Sequence, residues 1–150
     1  MKETYLERYV QRLLQEKGIK TINDMTIERL SEAFDIHVFY KPYGTCMKTR
    51  CGVTVIMIDS RVNETEQYHQ FIHELAHLIC HHTSIKYLNN NQWRYYELKA
   101  EKVVKYITMP SYLIKGYTTV EEVSEEFHVS HDLAMKRLEV IRNRNYMLRR

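Results

Sequence analysis

The sequence predicts an α+β fold, with a small, mostly antiparallel sheet set among helices and a helical C-terminal segment. Three observations lead there. Apolar residues recur at helical spacing near the N-terminus and through the middle of the chain. Two short runs, IHVFY and VTVIMID, have the β-branched and aromatic composition of strands. The tail from Thr118 onward reads as helix alone.

Taken in order, residues 3–17 form an amphipathic helix, with Leu6, Tyr9, Val10, Leu13 and Leu14 at helical spacing and Gly18 as the stop. A second helix begins near Thr26 and carries Ile27, Leu30 and Phe34 along one side. Residues 36–40 follow as a strand. KPYGTCMKTRCG reads as turn, and residues 53–59 as a second strand. Asn63 and Glu66 fit a capping arrangement for a long helix that runs to about His82. HTSIKYLNNNQ is a polar connection. A third long helix, from about Tyr95 to Thr108, stops ahead of Pro110. Two short helices then meet at His128-Val129-Ser130, with Thr118 or Thr119 capping the first and Ser130 the second.

At 150 residues the chain has the length of one domain and can bury a core. Its 44% hydrophobic and 27% charged residues are those of an ordinary globular protein, and a net charge of +3 implies neither a nucleic-acid nor a membrane partner. No apolar run approaches the roughly 18 residues of a membrane span. MKETYLERYVQRLL mixes charges with apolar residues and so is not the apolar core of a secretory signal. Cys46, Cys51 and Cys80 are an odd number without an export signal, which points to reduced thiols in a cytoplasmic protein. The Cys46–Cys51 spacing is not C-x-x-C, and a structural or incidental role is expected for that pair.

Chemistry concentrates in FIHELAHLICHH, residues 71–82, where four histidines and one glutamate fall within twelve residues. His73-Glu74-Leu75-Ala76-His77 has the H-E-x-x-H pattern. Residues four apart share one face of a helix, so two imidazoles can reach one zinc ion at about 2.0–2.1 Å. Glu74, beside the first imidazole, can flank the metal and take a proton from water there. The bland alternative is a buried helix with incidental histidines. Burying Glu74 and two histidines without a metal or partners would be costly. His69 and His81 continue the series, but each four-residue step drifts about 40° around the helix. They are expected at the rim or in structural hydrogen bonds, and His82 points elsewhere.

A catalytic zinc usually has three protein ligands. Cys80 and Thr83 stand where H-E-x-x-H-x-x-G-x-x-H would need glycine and histidine, so a carboxylate from a later helix is the remaining option. Glu97 offers one, and Glu101, four residues on, could accept a hydrogen bond from a ligand imidazole. Alternatively these acids alternate with Lys99, Lys102 and Lys105 on a solvated face.

At these residues the sequence resembles the ImmA/IrrE family of cytoplasmic zinc metallopeptidases of bacteria, phages and integrative elements. Ile56-Met57-Ile58-Asp59 matches the family's strand, Phe71 to His77 its first motif helix, and Glu97, Ala100, Val103, Val104, Ile107, Met109 and Pro110 its second. Ala76, Glu101, Val103 and Thr108 depart from the usual residues, and none of these changes removes a ligand. The resemblance implies a zincin-like metallopeptidase domain over residues 1–117 and a helical, helix-turn-helix-like segment over 118–150. It implies His73, His77 and Glu97 as ligands of one Zn2+ (or Mn2+ in its place) and Glu74 as catalytic acid/base. It also implies a substrate: a helix-turn-helix repressor, cut to derepress phage or mobile-element genes.

Tyr68, His69, Tyr95 and Tyr96 are candidate oxyanion donors by proximity in sequence, and the strand at 51–58 is a candidate sheet edge for an extended substrate. In the tail, Val123, Phe127, Val129, Leu133, Leu138 and Ile141 form an apolar set. Lys136, Arg137, Arg142, Arg144, Arg149 and Arg150 make its end basic. DNA binding is conceivable on that charge. Packing against the peptidase, or docking the repressor, is the expectation. A non-catalytic reading stays open beside the enzyme: a metal-stabilised, antitoxin-like module that sequesters a repressor.

Overall fold

The computed structural model describes residues 3–81 and 89–149. Among them the order is α1 (Tyr5–Glu16), a short 3-10 helix (Ile22–Asp24), α2 (Ile27–Ala33), β1 (Ile36–Lys41), β2 (Cys46–Arg50), β3 (Val53–Asp59), α3 (Glu64–Ile79), α4 (Asn90–Thr108), α5 (Ser111–Ile114), α6 (Val120–Phe127) and α7 (His131–Leu148). The architecture is α+β.

Each helix start has a local cause. Side chains of Thr4, Thr26, Asn63, Asn89, Thr119 and Ser130 each accept a hydrogen bond from the backbone N–H three residues on. After α1 the backbone turns at Gly18, whose φ of +83° suits a residue without a Cβ.

The sheet is mixed rather than mostly antiparallel. Its order is β1-β3-β2, with β3 parallel to β1 and antiparallel to β2. β2 lies in the stretch expected to be turn. It escaped notice because its second half, Lys48-Thr49-Arg50, is polar and exposed, as suits an edge strand. Arg50 pairs with Val53 across a two-residue loop, and Cys51 and Gly52 both have positive φ (53° and 77°), as tight hairpins of type I′ require. This hairpin puts β2 on one side of β3 and leaves the other side for β1. β3 is therefore central and paired along both sides, so residues 51–58 are not a sheet edge and cannot accept a substrate strand.

Ile56 and Ile58 of β3 point to the main core, where they meet Phe71, Ile72 and Leu75 of α3, Ala100, Val103 and Ile107 of α4, and Val10 and Leu14 of α1. α4 begins five residues earlier than the expected Tyr95, because a capping box between Asn89 and Gln92 nucleates its polar first turn. The preceding connection, from His82 to residue 88, lies outside the described residues.

A second apolar cluster joins Met109 and Ile114 to Val123, Phe127, Val129, Ala134 and Leu138, drawing on both sides of residue 117. α6 and α7 meet at His128, whose φ of +54° makes the corner without a glycine. α7 is 18 residues long, not short. The tail is fixed to the rest by ions as well as by apolar contact. Glu7, fully buried on α1, accepts hydrogen bonds from Arg137 Nη2 at 2.6 Å and from Arg144 Nη1 and Nη2 at 3.0 and 2.8 Å. Arg137 Nε also donates to the Met109 carbonyl at 3.0 Å.

Candidate metal centre

α3 buries Phe71, Ile72, Leu75, Ala76 and Ile79 against the core, and this fixes which way its remaining face looks. On that face the His73 and His77 rings lie 4.8 Å apart between centroids at 81°, with their Nε2 atoms 3.2 Å apart. α4, packed beside α3 through Ala100, Val103 and Ile107, brings up Glu97. Its Oε1 is 3.0 Å from His77 Nε2 and its Oε2 is 3.4 Å from His73 Nε2. Among the described residues these three are a group whose donor atoms could hold a metal ion.

The spacing is informative. Donors bound at about 2.0–2.1 Å to a tetrahedral ion sit about 3.3 Å from one another along the tetrahedron's edges. The observed 3.0, 3.2 and 3.4 Å separations match those edges. His77 is almost entirely buried, whereas 40% of the His73 side chain is exposed, so the cluster is approached from the His73 side. Burial pushes the pKa of His77 down, and the attraction of Glu97 does not fully offset it. The imidazole is thus kept neutral, which is the form that binds metal.

Glu74 lies beside the pair, in a cleft of about 400 Å³ lined by Thr45, Glu66, His69, Gln70, His73 and Glu74. Burial first, and the negative charge of Glu97 second, raise its carboxyl pKa to about 7. A carboxyl poised near neutrality can accept and return protons at working pH. Thr45 Oγ1 accepts from the Asp59 N–H at 3.0 Å and donates to Gln70 Oε1, tying the start of β2 to the cleft wall.

Of the candidate oxyanion donors, His69 lines this cleft. Its Nε2 hydrogen-bonds the His128 carbonyl, the structural bond expected of a rim histidine. Tyr68 is buried and lines a separate cavity. Tyr95 is exposed, with its ring against Tyr96. Glu101 corrects an expectation. It is exposed, displaced about 6 Å along the helix axis from Glu97, on the solvated face that was the alternative for these acids. Thr45 and Gln70 are cleft residues that the sequence reading missed. Thr45 sits at an unrecognised strand, and Gln70 carries no motif signal.

Residues 31–140, well over half of the chain, match the peptidase family described as the IrrE N-terminal-like domain. The chain belongs to that family. Two relatives of this chain are from Bacillus subtilis (strain 168). The uncharacterized protein YqaB is 26% identical over 144 residues, covering 91% of this chain and 84% of YqaB. The phage-like element PBSX protein XkdA is 22% identical over 148 residues, covering 94% of this chain and 75% of XkdA. Among the described residues no helix of the IrrE N-terminal-like chain is long and apolar enough to cross a membrane.

Proposed function

We propose that this protein is a cytoplasmic zinc-dependent endopeptidase that cleaves a helix-turn-helix transcriptional repressor and so derepresses phage or mobile-element genes. The observation that carries the reading is the convergence of His73, His77 and Glu97 at ion-ligand spacing, with Glu74 in the adjoining cleft. Membership of a peptidase family and a relative from a phage-like element support a peptidase in a phage-related setting, and the repressor as substrate is the proposal's own step.

In this reading His73, His77 and Glu97 hold the cation. When bound, it supplies Lewis acidity to a carbonyl and to water. Glu74 takes the proton of the attacking water and hands it to the leaving amine. His69, with Nε2 held by the His128 carbonyl, forms a fixed wall of the cleft. Thr45, at the start of β2, sets the other wall. The outer side of β2 has no strand partner among the described residues, so an extended peptide can pair there and run toward Glu74.

The contacts of the tail favour its packing against the rest of the chain over DNA contact. Arg137 and Arg144 are engaged with Glu7, Arg142 donates to the Thr118 carbonyl, and Lys136 pairs with Asp132. The rival reading is a metal-stabilised, non-catalytic module that sequesters its repressor. Glu74→Gln separates the two. Under the peptidase reading the variant keeps one zinc per chain, measured by atomic emission, and loses cleavage of the repressor encoded beside it. Unchanged repressor inactivation by the variant would overturn the enzyme.

A further inference from the structure

Ile36, Ile56 and Ile58 of the sheet are turned into the main core, so the residues alternating with them look the other way. On that second face β3 contributes Val53, Val55 and Met57, β1 His37 and Lys41, and β2 Lys48 and Arg50. The three β3 residues belong to neither apolar cluster. The charge of this face has one sign. Lys41, Lys48 and Arg50 are exposed, and none of them makes an ion pair or a side-chain hydrogen bond among the described residues. The acid that ends β3, Asp59, is taken up by Arg61 at 2.8 Å.

Two of these cations stand on the strand that borders the cleft. β2 follows Thr45, a residue of the cleft wall beside Glu74, and runs away from it to the hairpin at Cys51 and Gly52. Its outer side has no strand partner among the described residues. A chain laid along that side sets one residue directly opposite each residue of β2, with Cβ atoms about 4.5–5.5 Å apart. Its alternate side chains then emerge on the face of Lys48 and Arg50. There they meet an ammonium and a guanidinium with no counter-charge, and opposite charges across a strand pair attract while like charges repel.

We propose that Lys48 and Arg50 determine specificity, selecting an extended substrate segment that carries carboxylate side chains at two alternate positions. The inference rests on the peptidase reading, in which the segment pairs with β2 and runs to Glu74. Counted along the register, the two acids lie three and five residues from the one opposite Thr45, on one side of the cut. The segment therefore comes from an acidic stretch of its protein. A surface rich in lysine and arginine, as DNA-contacting surfaces are, is refused by the same charges.

Fluorescence anisotropy on the full-length, zinc-loaded protein tests this with three labelled heptapeptides. All have threonine at the odd positions, and the even positions hold glutamate, glutamine or lysine, so the charges share one face in either strand direction. The glutamate probe is expected to bind about fivefold tighter than the glutamine probe, from two opposite-charge pairs, and the lysine probe to bind weakest. Salt at about 1 M, where the Debye length is about 3 Å, should shrink the difference. Lys48→Glu with Arg50→Glu should reverse the order, making the lysine probe the tightest. Both side chains are exposed, so the melting temperature should not move. Equal binding of the three probes, no binding of any, or a glutamate preference that survives the double reversal overturns the proposal. Cleavage by Glu74→Gln is a separate readout. A protein that cuts its substrate without this charge order loses the present inference alone, and one that keeps the order but never cuts loses the peptidase.

Discussion

Two carboxylates in this protein each face two nitrogen-bearing side chains, and they are built to opposite ends. Glu7 meets Arg137 and Arg144, and Glu97 meets His73 and His77. In the first cluster the charges are complementary without help. Burial alone would raise the Glu7 pKa, but hydrogen bonds and attraction from Arg144 and Arg137 outweigh it and hold the carboxyl below its ordinary value. In the second cluster two imidazole nitrogens lie 3.2 Å apart beside one carboxylate, and burial lowers the pKa of one of them, His77. In the first arrangement both carboxylate oxygens are matched by guanidinium donors within the protein, while Arg144 Nε alone lacks a partner among the described residues. The second is a set of ligand atoms close enough together to hold one metal ion. The same local composition thus gives a bolt in one place and a socket in the other.

The largest effect should come from emptying the socket. Glu97→Ala, like His77→Ala, is expected to lower zinc affinity by more than the roughly 10–100-fold typical of outer-shell partners. Competition with a chromogenic chelator measures this. Added zinc is expected to raise the melting temperature of the parent and not that of the variants. If zinc raises the melting temperature of Glu97→Ala as much as that of the parent, the contrast between the two clusters fails.

Next comes the bolt. Glu7→Gln leaves two guanidiniums without their counter-charge and should cost about 3–5 kcal/mol in urea unfolding. A triple replacement by apolar residues, Glu7→Leu with Arg137→Met and Arg144→Leu, should cost less than the single change, because it buries no unpaired charge. If Glu7→Gln is nearly neutral, the triad does not fasten the tail.

The same cluster predicts a pH dependence. The folded pKa of Glu7 is depressed below its ordinary value of 4.5, so its contribution to stability is fully present above that value. It is lost as pH falls through the lower folded pKa. Parent and Glu7→Gln should therefore differ most near neutral pH and converge in acid, in unfolding curves taken from pH 7 downward. The smallest effect belongs to an exposed pair on the same helix. Lys136 and Asp132 lie four residues apart at 3.0 Å, both about two-thirds exposed, and Lys136→Ala should shift stability by about 0.3–0.5 kcal/mol. A larger shift would mean that exposure does not separate these ion pairs.

How much of this was legible in the sequence follows from the range of the interactions. His73, Glu74 and His77 declare themselves because helical periodicity alone puts them together, and Glu97 because a zinc ion needs a third ligand from a helix that can return alongside. The helix caps at Thr26, Asn63 and Ser130 are three-residue signals and could be read directly. Glu7 could not. On α1 it looks like any charge of an amphipathic helix, and its partners lie 130 and 137 residues away. β2 was hidden by polar edge residues, although Cys51-Gly52 marks its hairpin in retrospect. The start of α4 was hidden in an asparagine-rich stretch that resembles a loop until Asn89 and Gln92 are seen to cap each other. Glu101 misled for the opposite reason: periodicity puts it on the face of Glu97, and only the structure shows it exposed one turn along.

The hydrogen bond from His69 to the His128 carbonyl joins a wall of the trench beside Glu74 to the corner of the last two helices. That corner is bent through a left-handed residue, and the imidazole leaning on it stands one turn before His73. If something grips the tail and shifts the corner, the imidazole must either travel with it or lose its acceptor. The terminal helices are therefore a handle on the trench, and a partner that never enters the trench can still alter its shape by pulling on them.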